Sequence, residues 1–327
     1  MLENVLSFLL GHVVFALMLS TGLSSRPREL ADIVRRPALY ARAMLVMWIA
    51  VPLLAIATIA LLRLPRRPAE LMVIMSICPG APVIPDATKR SSETHSTVGL
   101  NLLLLASLLA PLLTPAWMAL LARVYAVEVG IISPLQVLGA IAPRVLLPLA
   151  LGLLVRRYAP RAADVLARPV HYFFLAALVV AGAMAFRLGG PVFEDISPRT
   201  GVAAFVMVIG ASLMGYAAAA NLGGERRTVG IAAALGNPVL ALAVIANSHP
   251  GFQAAALMLA YVILRTIALV PFLQWVHTRQ LREQPHEPVW VAVFPTRRRH
   301  IVMARPQRAP AGVHRNVPHR RVHRPRH

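Results

Sequence analysis

Charge is what this sequence is short of. Asp, Glu, Lys and Arg make up 14% of its 327 residues, against about 25% in a typical soluble domain, too few to cover a globular surface with hydrated groups. Cysteine is almost absent: a lone Cys78 excludes an internal disulfide and any cysteine-based metal cluster. Catalytic signatures are missing too. The chain has no G-x-S-x-G, P-loop, H-E-x-x-H or glycine fingerprint after a strand, so nothing points to an enzyme, a cofactor or a bound metal. Residues 1–23 have neither a basic leader region nor an A-x-A-like cleavage site, and are expected to form a first membrane span.

Hydrocarbon is abundant instead. Apolar residues reach 57% and mean hydropathy is +0.65. They come in blocks of about 20, the length that crosses a bilayer core as a helix. The expected fold is an all-α polytopic membrane protein with about nine transmembrane helices. They fall near residues 4–23, 43–62, 69–92, 97–121, 133–155, 170–188, 200–221, 227–247 and 252–276. A soluble enzyme, a disordered chain and a collagen-like fibre are all disfavoured.

The net charge of +20 is unevenly placed, because the last 51 residues alone hold 12 Arg against two acids. Two regions are therefore expected: a transmembrane domain over 1–276, and a basic Arg/His/Pro-rich tail over 277–327 that is disordered and cytoplasmic. Such a tail could touch anionic lipid at the bilayer surface; it carries no sign of specific nucleic-acid recognition. Loops after spans 1, 3, 5 and 7 carry thirteen Lys and Arg against six on the other side. The richer side is expected to be cytoplasmic in the plasma (inner) membrane, with the N-terminus outside and the C-terminus inside.

Two spans cannot be ordinary helices. The third contains Cys78-Pro79-Gly80-Ala81-Pro82 followed by Pro85-Asp86, and the eighth contains Ala234-Leu235-Gly236-Asn237-Pro238. Proline removes a backbone donor and clashes with the preceding turn, while glycine lowers the cost of unwinding. A single kink would read as packing. Two interruptions, one per half of the chain, point to a secondary transporter's central site, with a pair of packing kinks as the competing reading.

Chemistry-bearing residues gather nearby. Asp86, Lys89, Arg90, Glu93 and His95 follow the first break; a carboxylate–histidine set there could take up a proton, or the stretch could simply end the crossing at the cytoplasmic interface. Arg144 and Arg265 lie inside apolar runs, where a guanidinium could hold a carboxylate or sulfate, and Arg265 has Tyr261 one turn earlier. A buried role is expected for Arg265, structural or substrate-binding. Asn101 and Asn237 are neutral polar candidates, with interhelical hydrogen bonding as the competing use. Cys78, with no second soft ligand, is expected to pack. The candidate substrate or ion site is thus Pro79, Gly80, Pro82, Asp86, Glu93, His95, Asn101, Gly236, Asn237 and Arg265.

Several segments together resemble the bile acid:sodium symporter family over about residues 5–276. They are Phe15–Leu23, a helix of short residues ending in Gly22-Leu23; Arg36-Pro37 before a helix carrying Val51-Pro52-Leu53; Pro68-Ala69-Glu70-Leu71; Cys78-Pro79-Gly80; Leu108–Pro115; Leu147–Val155; and Arg227–Ile231 leading to Gly236-Asn237. The resemblance implies an inverted-repeat architecture of panel and core domains, two discontinuous helices crossing near the membrane centre, and a small organic anion as substrate, usually moved with sodium.

The departures from the family pattern bear on sodium. Where the family has Ser-Asn after its first break, this chain has Ile84-Pro85. Where the family reads Glu-x-Gly-x-Gln-Asn at the second, this chain has Ala232, Gly236 and Asn237 in place of the Glu, Gln and Asn. The hydroxyls of the next helix fall on Val98 or Gly99 and on Leu102 or Leu103. Sodium needs several oxygen ligands, so coupling is expected to run on protons or to be absent. The expected function is a secondary transporter of a small organic anion, working by alternating access in the lipid bilayer. A non-transporting membrane sensor or anchor on the same scaffold is the alternative.

Overall fold

The protein is described by a computed structural model covering residues 2–85, 93–125, 132–188, 197–220, 225–248 and 254–283. Its helices are α1 (Leu2–Ser24), α2 (Asp32–Arg35, preceded by a 3-10 turn at Pro27–Ala31), α3 (Pro37–Leu62), α4 (Arg66–Ser76), α5 (Glu93–Tyr125), α6 (Pro134–Tyr158), α7 (Pro160–Leu188), α8 (Pro198–Ala218), α9 (Arg226–Ala234), α10 (Pro238–Ser248) and α11 (Ala254–Glu283). Among the described residues there is no strand, only one isolated bridge. Met1–Leu281 form one unit and Arg282–His327 a second; only the end of α11 in the second is described, so the expected tail lies outside the described residues.

Proline sets many of the helix starts. Pro37, Pro134, Pro160, Pro198 and Pro238 each open a helix, where the missing N–H has no intrahelical partner to lose and φ is already helical. Ser133 adds a capping box with Gln136, and the Ser197 hydroxyl accepts from the Thr200 amide at 3.3 Å. This rule moves two expected starts, and the run expected from 43 begins at Pro37. The run expected to begin at 170 begins at Pro160, with Pro169 inside the helix, so the loop between α6 and α7 is only a sharp turn at Ala159.

Prolines inside helices are accommodated locally. π-Helical segments at Val46–Ala50 in α3 and Ala142–Leu146 in α6 lie just ahead of Pro52 and Pro148, whose rings would otherwise collide with the carbonyl four residues earlier. For Pro52 that carbonyl belongs to Trp48. It is satisfied by the Trp117 indole Nε1–H of α5 at 2.8 Å.

Four helices are, by length and composition, able to cross a membrane among the described residues: Pro37–Leu62, Thr97–Arg123, Pro134–Tyr158 and Pro198–Ala218. The two interrupted runs divide into pieces too short to span alone, with 11 residues in α4, nine in α9 and 11 in α10. Large apolar side chains face outward on the spanning helices, among them Leu61, Leu112, Leu147 and Phe205, as a lipid-facing surface requires. Inside, α1 packs on α6 and α7, α8 on α3 and α9, and α5 on α6 and α9. The α1–α6 contact is backbone to backbone, since Gly22 and Gly152 meet where a Cβ on either would strike the opposite main chain.

Candidate functional site

The two breaks meet. After α4 the chain unwinds through Ile77, Cys78 and Pro79, and after α9 it unwinds through Leu235 and Gly236. Pro79 and Gly236 form an antiparallel bridge, and the Asn237 amide donates to the Cys78 carbonyl at 2.6 Å. Open backbone in a membrane protein must be satisfied inside the protein, and here the partners can be named. The Ile77 carbonyl accepts from the Thr114 hydroxyl of α5 at 3.1 Å. Cys78 is answered by Asn237. The Ala234 carbonyl, at the end of α9, accepts from Nη2 of Arg265. The Asn237 side-chain Oδ1 accepts from the amides of Val239 and Leu240 at 3.1 and 3.2 Å, capping α10.

Both glycines of the breaks are needed. Gly80 has φ +88°, a conformation costly for other residues, and a Cβ there would lie 2.9 Å from the Ala106 methyl of α5. At Gly236 a Cβ would lie 2.5 Å from the Met75 carbonyl oxygen and 3.3 Å from Arg265 Nη1. Only glycine lets the two chains and the guanidinium approach so closely.

Arg265 reaches this point from α11. It is 2% exposed, and its guanidinium carbon lies 5.7 Å from the Tyr261 ring centroid, close enough for a cation–π contact. Beyond the Ala234 carbonyl it has no hydrogen-bond partner among the described residues: Nε and Nη1 are buried and unpaired there, as are Asn237 Nδ2 and the Tyr261 hydroxyl. Among the described residues no carboxylate pairs with Arg265. Buried donors of this kind are costly unless something accepts from them.

The sequence-derived candidates thus divide. Pro79, Gly80, Pro82, Gly236 and Asn237 are buried at or beside the paired breaks, and Arg265 joins them. Asn101 is fully buried but employed elsewhere: its Nδ2 donates to the Glu29 carbonyl and the Tyr40 hydroxyl, both at 3.0 Å. Asp86, with Lys89 and Arg90, lies outside the described residues. Glu93 opens α5 and His95 lies in its first turn, but their side chains are outside the description. Arg144, weighed beside Arg265, is exposed, with Nη1 on the Ala140 carbonyl at 3.3 Å. Cys78 is fully buried, as a packing residue should be. Sequence reasoning missed Thr114 as the partner of the first break. A hydroxyl within an apolar run facing an orphan carbonyl was the signal, but nothing in the sequence ties Thr114 to Ile77.

A polar network lies on the approach to α9. Arg36 grips Asp32 through Nε at 2.9 and 3.0 Å and Nη2 at 2.7 Å, and reaches Glu225 Oε1 through Nη1 at 3.5 Å. Tyr40 donates to Asp32 at 2.7 Å, and Asn101 donates to Tyr40. Glu225, 3% exposed, directly precedes α9. Burial pulls the Asp32 carboxyl up, but the hydrogen bonds from Arg36 and Tyr40 and the charges of Arg36 and Arg35 outweigh it and hold the group below its ordinary value. The same carboxylate raises Arg36.

Residues 12–195 match the sequence model of the Sodium Bile acid symporter family, more than half of the chain. The chain belongs to the sodium bile acid symporter family. No curated protein matches it significantly. At family level it is a bile acid:sodium symporter-like membrane transporter; the family's members are transporters, not enzymes, and carry organic anions, usually with sodium. The match takes in the first break and stops short of α8, so the second break is placed by geometry.

Proposed function

We propose that this family member is a secondary transporter of a small organic anion, that the anion binds where the two broken helices pair, and that it crosses by alternating access without the family's sodium site. The single observation that carries this reading is Arg265, a buried guanidinium whose Nε and Nη1 have no acceptor among the described residues, beside the equally unpaired Nδ2 of Asn237. The donors left over at the paired breaks are cationic or amide N–H groups, which suit a carboxylate or sulfate and repel a metal ion.

The positions that the family resemblance assigns to sodium ligands support its loss. Ile84, Val98, Leu102, Leu103 and Ala232 are each 0% exposed hydrocarbon, offering no side-chain oxygen. With the basic-loop asymmetry read as positive-inside, Arg36 and Glu225 face the cytoplasm and the chain enters the inner membrane from outside. Panel and core domains rocking about the breaks would supply the alternation.

The test is equilibrium binding of a panel of small carboxylates and organic sulfates to the purified protein, followed by uptake of any binder into proteoliposomes. Wild-type protein is expected to bind at least one anion in choline buffer, and Arg265→Gln to bind it ten- to a hundredfold more weakly, about 1.5–3 kcal/mol for a charge-assisted hydrogen bond. Equal affinity in the two proteins would reject the site. Binding without uptake would favour the second reading, a sensor or anchor, which the loss of the sodium ligands alone supports.

A further inference from the structure

We infer that the Arg265 guanidinium is a resident counter-cation: it occupies a cation seat at the end of α9 and supplies internally the positive charge that an accompanying metal ion would otherwise bring. The inference rests on the reading of the paired breaks as an anion site and goes further by fixing where the charge balance comes from. The cargo it selects is a monoanion.

The seat combines several features of a cation site. Ala234 is the last residue of α9, and its carbonyl, left without an intrahelical partner, receives Arg265 Nη2. The negative end of that helix's dipole favours a cation there. The Tyr261 ring presents its face to the guanidinium at 5.7 Å. Gly236 leaves the space that Nη1 enters, for a Cβ there would lie 3.3 Å from that nitrogen. No carboxylate among the described residues neutralises the charge.

The consequence follows from the cost of burial. An isolated charge in a low-dielectric interior is expensive, and a chain that needed only a strut could use an apolar side chain of the same volume. Arg265 instead gives an Nη2–H to the carbonyl and leaves Nε and Nη1 unpaired among the described residues. A single negative charge arriving at those donors neutralises the site without any ion from solution. A neutral ligand would leave the guanidinium uncompensated, and a dianion would bury an excess charge.

Chemical rescue tests this. Wild-type, Arg265→Ala and Arg265→Lys proteins in detergent are melted in choline chloride, with sodium chloride or low-millimolar guanidinium chloride replacing part of the choline. The wild-type Tm is expected to be the same in sodium and choline and to stay level or fall with guanidinium. Arg265→Ala is expected to melt lower and to rise by several degrees with guanidinium but not with equimolar urea. A sodium-specific rise in wild-type Tm overturns the inference, as does an identical guanidinium response in the wild-type and alanine proteins. If the alanine variant fails to fold, Arg265→Lys carries the test through the sodium–choline comparison. Lysine keeps the charge, so its Tm is expected to be sodium-insensitive, and a sodium-specific rise overturns the inference. The readout needs no substrate, so rescue in a protein that binds no anion would uphold the seat while rejecting the transport reading, and anion binding without rescue would do the reverse.

Discussion

Two arginines of this chain keep opposite company. Arg36 is held by acid: three hydrogen bonds to Asp32 and a reach of 3.5 Å to Glu225 neutralise it within the fold, and its side chain is still 30% exposed. Arg265 is far more deeply buried, at 2% exposure, yet its described partners are a carbonyl and a ring face. Water screens the first and carboxylates balance it, so it belongs to the scaffold. The second is screened by little and balanced by no carboxylate among the described residues. An ionisable group buried in a membrane protein is by default a candidate for a substrate or ion path, the role proposed above for Arg265.

The comparison breaks most clearly at Arg36. Replacing it by alanine removes three hydrogen bonds to Asp32, leaving that from Tyr40, and one partner of buried Glu225. Removing one member of a fully buried ion pair costs about 3–5 kcal/mol; with Arg36 partly exposed, about 2–3 kcal/mol is expected. Arg36→Lys should recover only part, since a point charge cannot reproduce the fork on Asp32. Thermal unfolding in detergent measures the loss, and anion affinity of the folded fraction should stay at the wild-type value. The reverse pattern, unchanged Tm with altered affinity, would put Arg36 in the site and dissolve the contrast with Arg265.

How far the sequence carried the reading differs between these two places. The breaks were legible because Pro79, Gly80, Gly236 and Pro238 interrupt apolar runs, and local chemistry says where a helix must unwind. Arg265 was legible as a charge within such a run, with Tyr261 one turn away. The partners were not. Arg36 and Glu225 are 189 residues apart and Asn101 and Tyr40 are 61 apart, and a charged residue beside a proline or at a helix start reads as loop charge until the fold brings it against another. Asn101 shows the same limit, since a buried amide in an apolar helix suits a site and a strut equally well, and its described bonds are to Glu29 and Tyr40. The helix starts failed for a different reason: at Pro160 and Pro169 the same residue type opens one helix and sits inside it.

Asp32 sharpens the comparison through pH. Its carboxyl lies below the ordinary value of 3.8 in the folded protein, so the unfolded chain binds the proton more readily. The stability it contributes is whole above 3.8 and is lost as pH falls through the lower native value. Asp32→Asn is therefore expected to cost about 1.5 kcal/mol near neutrality and to flatten the acid limb of a Tm–pH curve. A variant curve parallel to wild type down to the acid limit would mean that Arg36 does not depend on this carboxylate.

The smallest effect belongs to Tyr40, and it tests whether the acid-held arginine is one network or two neighbouring pairs. Its hydroxyl donates to Asp32 at 2.7 Å and accepts from Asn101 at 3.0 Å. In Tyr40→Phe, Asp32 keeps the three bonds from Arg36, and Asn101 Nδ2 keeps the Glu29 carbonyl, so no group loses its last partner. The cost should be that of one ordinary buried hydrogen bond, about 1 kcal/mol. The second expected outcome has a definite direction. Without the Tyr40 donor the Asp32 carboxyl moves back up toward 3.8, so the acid limb of the Tm–pH curve begins at higher pH than in wild type. If the limb stays in place while stability falls, Tyr40 acts by packing alone and the link from Asn101 to Arg36 is broken at that hydroxyl. If both move, the network runs unbroken from α5 through α3 to the residue that opens α9, and the chain holds one end of its second broken helix with balanced charge while leaving an unbalanced one at the other.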